Sequence, residues 1–154
     1  MVLHHTERDC TGAGPGHPPT LDIRHGWVQS VEDIAPILDH LAAEMRARGY
    51  PRQDAFAVRR ALEEAVVNAI KHGHRARPEQ RVRVSYLVAD EWLLLEVEDR
   101  GPGFDLSVVP DPLADEHPDE PSGRGLLLIR HYMSWVRFFG RGNIVTMCRK
   151  RSGR

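Results

Sequence analysis

The 154-residue chain has only two cysteines, Cys10 and Cys148, near opposite ends and outside any metal-ligand spacing. Neither a disulfide framework nor a cysteine metal site is expected from them. No apolar run exceeds four residues, against the roughly 20 that a membrane-spanning helix needs. Residues 1–20 hold no apolar signal core, and their histidines, with His25 just beyond, are too scattered to suggest a metal. Net charge is almost absent, since 21 Lys and Arg stand against 22 Asp and Glu. No internal repeat is visible. These absences disfavour membrane proteins, disulfide-stapled secreted scaffolds and solenoids, and leave a cytoplasmic protein with one domain of ordinary size as the expectation.

The near-zero total conceals a division. From Asp105 to Glu120 there are six acids and no Lys or Arg, whereas from Arg124 to the end there are eight bases and no acid. Two readings remain open from charge alone: a solvated loop beside a basic edge, or an acidic segment next to a site for an anion.

Residues 1–20, rich in Gly, Pro and His, read as a disordered tail. Leu21, Ile23 and Trp27–Val28 suggest a first strand, which is followed by Ser30 and Asp33, spaced as an N-cap and its capping-box partner. Apolar residues Val31, Ile34, Ile37, Leu38, Leu41, Ala42 and Met45 then keep helical period over 31–48, until Gly49 and Pro51 stop the helix. A second helix, from 52 or 53 to 71 or 72, carries the stripe Phe56, Val58, Leu62, Ala65, Val66, Ala69 and Ile70, with Gly73 as a C-cap. Strands at 81–88 and 92–99 follow, the first alternating Val82, Val84, Tyr86 and Val88 on one face. Residues 101–125 are rich in Gly and Pro and long for a loop without function. A third helix from about 123–125 to 134 precedes strands at 135–139 and 143–149, joined by Gly140-Arg141-Gly142. The order β-α-α-β-β-α-β-β predicts an α/β (α+β) two-layer sandwich, with helices on one face of a mixed, mostly antiparallel sheet.

Three stretches carry more than packing requires. Glu64 and Asn68 lie one turn apart on a helix, so a carboxylate and a carboxamide share a face and could act as a base and a ligand to Mg²⁺. An exposed polar helix edge would look the same. Asp99-Arg100-Gly101-Pro102-Gly103 ends a strand in an acid and lets the backbone turn sharply, which an ordinary turn would also require. Gly123-Arg124-Gly125 opens a helix, where free N–H groups and an Arg favour phosphate. Neither a Walker A nor a Rossmann spacing is present.

In order and spacing together, these stretches resemble the boxes of the GHKL (histidine kinase-like) ATPase superfamily. The nearest likeness is to its small bacterial anti-sigma factor/serine protein kinases, the anti-sigma regulatory factors. Glu64-Ala65-Val66-Val67-Asn68-Ala69-Ile70-Lys71-His72-Gly73 resembles the N box, Asp99 to Gly103 the first glycine box, and Gly123-Arg124-Gly125-Leu126 the second. The resemblance covers about residues 20–150 and implies a Bergerat-type fold that uses ATP and Mg²⁺. It implies Glu64 as general base, Asn68 as ligand to Mg²⁺ at the phosphates, and Asp99 on the adenine amine. Gly101 and Gly103 would wrap the nucleotide, residues of about 104–122 would form a lid, and Gly123, Arg124 and Gly125 would meet the phosphates. Glu63 and His72 receive no role.

The implied function is an ATP-dependent serine/threonine kinase that phosphorylates a small STAS-type anti-anti-sigma protein and sequesters a sigma factor. The alternative is a nucleotide-binding regulatory module acting by partner capture without significant kinase activity. Family likeness implies a homodimer, whereas direct nucleic-acid binding and a histidine-kinase role are not expected. One departure stands out: where relatives carry consecutive threonines after the last hairpin glycine, this chain has Asn143 and Ile144 after Gly142.

Overall fold

The computed structural model describes residues 22–73, 79–101 and 121–153. The predicted tail, Gly103, and the predicted lid up to residue 120 lie outside them. Strand β1 (Arg24–Val28) leads to a 3₁₀ turn (Val31–Ile34), helix α1 (Ala35–Ala47) and helix α2 (Arg52–Gly73). Strands β2 (Val82–Val88) and β3 (Trp92–Glu98) follow, then helix α3 (Pro121–Tyr132) and strands β4 (Trp135–Phe139) and β5 (Ile144–Lys150). The five strands form one sheet in the order β1-β2-β3-β5-β4, and each neighbouring pair is antiparallel.

The capping box at the first turn forms as its spacing predicts. The Asp33 carboxylate accepts the backbone N–H groups of Ser30 and Gln29, both at 2.9 Å, and these bonds hold its pKa below the usual carboxylate value. The helix predicted over 31–48 instead divides into the 3₁₀ turn and α1. Pro36 is the cause. It has no N–H to give an earlier helical turn and suits the first positions of a new helix. Gly49, at φ 75°, then ends α1 in the left-handed conformation that glycine takes without strain.

One face of the sheet carries the main core. Val28, Val82, Val84, Tyr86, Val88, Leu93, Leu95, Val97 and Met147 pack against Leu38, Leu41 and Met45 of α1, Val58, Leu62 and Val66 of α2, and Ile129 of α3. The period-two alternation of β2 therefore marks this face correctly. Phe56, predicted as part of the buried stripe, is instead exposed and meets Tyr132 edge-on at 5.9 Å between ring centroids. The central strand β3 is buried on both sides, which accounts for its nearly continuous apolar sequence. A smaller cluster of Leu87, Ala89, Trp92, Leu94 and Cys148 lies on alternate positions of the same strands. Cys148 is disulfide-bonded, contrary to the expectation drawn from the spacing of the cysteines along the chain. No described helix is long and apolar enough to cross a membrane.

Candidate functional site

Glu64 and Asn68 stand one turn apart on the half-buried side of α2. The helix α3 begins at Pro121, two residues before the predicted start, so Gly123 and Arg124 lie in its first turn and Gly125 starts the second. At one end of the helix pair the rings of Phe56 and Tyr132 touch; at the other, Gly125 faces Glu64 and Asn68, so the two helices run antiparallel. A Cβ on Gly125 would stand 3.1 Å from Glu64 Oε2, 3.2 Å from Asn68 Nδ2 and 3.3 Å from Asn68 Oδ1. The missing side chain is what lets the start of α3 come down on both polar groups. The fold thus joins the first and third of the stretches singled out in the sequence.

Gly125→Val is therefore expected to push Glu64 and Asn68 aside and to cost about 1–3 kcal/mol of stability by overpacking. Urea denaturation measures that loss, and a variant as stable as the parent would contradict the close contact.

Neighbouring arginines approach Glu64 and its neighbour Glu63. Arg60 lies 2.9 Å from Glu63 and 3.5 Å from Glu64 Oε1, and Arg59 lies 3.1 Å from Glu63. Glu63 is thus engaged with both arginines and Glu64 with Arg60. The donor set at this point is one carboxamide oxygen and one carboxylate. That set fits Mg²⁺, which keeps several waters and takes further oxygens from phosphates. Among the described residues, no group of three or more His, Cys, Asp or Glu could cage a metal ion.

Asp99 and Gly101 belong to a second cluster, at the end of β3. The Gly101 N–H donates to Asp99 Oδ1 at 2.8 Å and so orients the carboxylate. The hairpin between β4 and β5 holds this turn from the other side. Asn143 Nδ2 donates to the Asp99 carbonyl at 3.0 Å, the Asp99 N–H donates to the Asn143 carbonyl at 3.0 Å, and Arg141 Nε donates to the Gly101 carbonyl at 3.0 Å. In the sequence Asn143 stands out only as a departure from a family pattern, and Arg141 only as part of a hairpin turn. Neither contact has a local signal, because the partners lie some 40 residues apart.

A cavity of about 640 Å³ opens elsewhere, lined by Trp27, Glu79, Gln80, Arg81 and Arg100. It contains none of the predicted site residues, although Arg100 directly follows Asp99 and its guanidinium lies 5.8 Å from the Trp27 ring centroid.

Comparison with known proteins bears on the family and the fold. The model of the histidine kinase-like ATPase domain matches residues 28–149. The serine-protein kinase RsbW of Oceanobacillus iheyensis is 24% identical over 108 residues, 66% of this chain and 68% of that protein. The anti-sigma F factor of Bacillus cytotoxicus is 31% identical over 86 residues, 54% of this chain and 59% of that protein. Among solved structures, that of the RsbU and RsbW domains of Rv1364c from Mycobacterium tuberculosis covers 84% of this chain, with a TM-score of 0.56 and 16% identity. The alignment takes in 32% of that longer chain, and the likeness is one of fold.

Proposed function

The chain belongs to the histidine kinase-like ATPase domain family, and from that premise we propose that it is an ATP- and Mg²⁺-dependent anti-sigma regulatory factor. On this reading it phosphorylates a serine or threonine of a small STAS-type antagonist and sequesters a sigma factor in the cytoplasm. One observation carries the proposal: Gly125, from the second glycine box, abuts both Glu64 and Asn68 of the N box. The names of the relatives, a serine-protein kinase and an anti-sigma F factor, support a protein serine as acceptor and a sigma factor as partner, and the STAS-type antagonist rests on the family resemblance.

The chemistry follows from the residue types. The Asn68 carboxamide oxygen would ligate Mg²⁺, which when bound neutralises charge on the phosphates. The first turn of α3 offers backbone N–H groups, which together with the helix dipole favour phosphate there, and Arg124 adds a positive charge. The Asp99 carboxylate accepts a hydrogen bond from the adenine amine, with Gly101 and Gly103 allowing close approach of the chain. Glu64 takes the proton of the attacking hydroxyl as its oxygen bonds to the γ-phosphorus and ADP leaves. Little else is asked of the protein, because phosphoryl transfer depends mainly on positioning and charge stabilisation.

A second reading has its own support. Arg60 lies 3.5 Å from Glu64 Oε1, and a base engaged in an ion pair suits a module that binds nucleotide and captures partners without turnover. Transfer of labelled γ-phosphate to a purified STAS-type protein separates the two. Transfer supports the kinase reading, and tight ATP binding without transfer supports the module.

A further inference from the structure

The hairpin between β4 and β5 is built more elaborately than a chain reversal requires. Gly140 and Gly142 take φ of 64° and 85°, values that favour glycine, and the Gly142 N–H donates to the Phe139 carbonyl at 3.1 Å. A Cβ on Gly140 would lie 2.7 Å from Asn143 Oδ1, a collision. Gly140 thus gives the turn its backbone and leaves room for the Asn143 carboxamide. That carboxamide uses both ends: Oδ1 accepts the Arg141 N–H at 3.3 Å, while Nδ2 donates to the Asp99 carbonyl at 3.0 Å. Arg141 Nε bonds the Gly101 carbonyl. Main-chain groups on both sides of Arg100 are therefore held by a single four-residue turn, and the Asp99 carboxylate is held in place between these ties by the Gly101 N–H.

We propose that Arg141 and Asn143 are specificity-determining positioning residues, which clamp the Asp99–Gly101 turn so that the carboxylate selects an adenine amine. The inference rests on the nucleotide reading of Asp99 and assigns it a mechanism. A carboxylate discriminates by geometry. It accepts a hydrogen bond from the amine of adenine, whereas the same position in hypoxanthine is a carbonyl oxygen, and two acceptors then face each other. That distinction survives only while the carboxylate is held still. Neither Arg141 nor Asn143 needs to touch the base.

Calorimetric affinities of wild type, Asn143→Ala and Arg141→Gln for MgATP and for MgITP test the clamp, with the melting temperature of each variant alongside. Wild type should prefer ATP. Asn143→Ala should lose about tenfold in ATP affinity while ITP affinity stays nearly unchanged, so that the preference collapses. Arg141 is exposed, so its Gln variant should fold and shift the preference in the same direction even if Asn143→Ala does not fold. Equal losses for both nucleotides would mean a merely structural hairpin and would overturn the inference. A wild-type preference retained in both variants would overturn the clamp and leave the reading of Asp99 standing. A wild type that binds both nucleotides equally would remove the adenine role of Asp99, and the clamp's role with it.

Discussion

Glu64→Gln is expected to reduce phosphoryl transfer to a STAS-type protein by about 10²–10⁴-fold, the usual contribution of a positioned general base. The substitution keeps the shape of the side chain and an oxygen for Arg60, and it leaves Asn68 and the contact with Gly125 in place. MgATP affinity should therefore change by no more than about twofold, well under 1.4 kcal/mol. Parallel measurement of labelled γ-phosphate transfer and of calorimetric affinity makes the distinction. Unchanged transfer would remove Glu64 from the reaction, and a parallel fall in both quantities would make it a binding residue instead.

The largest effect on stability is expected at Asp54, at the start of α2. Its side chain is fully buried, yet both oxygens are occupied. Oδ1 accepts from Arg149 Nε at 3.0 Å, Arg149 Nη2 at 2.6 Å and the Ser152 hydroxyl at 2.6 Å, and Oδ2 accepts the Ser152 N–H at 2.7 Å. The network fastens the end of the chain beyond β5 to α2. Asp54→Ala would leave Arg149 without its carboxylate partner, with only the Tyr132 carbonyl and the Ser152 hydroxyl to accept from it, and removal of one member of such a pair costs about 3 kcal/mol or more. Urea denaturation at neutral pH should show that loss; a change below about 1 kcal/mol, the range of exposed pairs, would contradict the network's importance.

The pH dependence follows with a definite sign. Burial pushes the Asp54 carboxyl up, but hydrogen bonds from the Ser152 hydroxyl and N–H and from Arg149 outweigh it and leave its pKa below the ordinary 3.8. The folded state thus holds this proton less tightly than the unfolded chain. The associated stability is complete above about pH 4 and is lost as pH falls through the lower folded value. Asp54→Asn should lack that component of acid destabilisation.

Where the chain's own period dictates burial, the fold was legible. The alternation in β2 and most of the stripes of α1 and α2 mark the core face, Val31, Ala42 and Phe56 being exposed instead, and Ser30 with Asp33 marks the first turn. Pro36 was available in the sequence as the signal for breaking the first helix and was outweighed by the apolar period around it. The two ends of the α2–α3 contact could be named separately, Glu64 with Asn68 and Gly125 with its neighbours. Their meeting is a tertiary fact that only the packing of the two helices supplies. The Asp54 network and the hairpin ties to Asp99 and Gly101 were not legible, because each joins residues far apart in sequence whose types are unremarkable where they stand.

The charge division takes on a more specific meaning in the folded molecule. Several cations of the basic stretch after residue 124 are used inside the chain: Arg149 on Asp54, Arg141 on the Gly101 carbonyl, and Arg151 on Glu91 at 2.7 Å. Arg137 lies over the Trp135 ring at 5.0 Å from its centroid. These four cations are therefore engaged within the described fold.

Isothermal titration of wild type and Asn68→Ala with MgATP tests the central claim most directly. A binding isotherm for wild type and a loss of about tenfold or more in the variant are predicted, since disturbing even the outer partners of a metal ligand commonly costs 10–100-fold in affinity. Equal affinities would contradict the placement of the nucleotide and its ion at the meeting of α2 and α3.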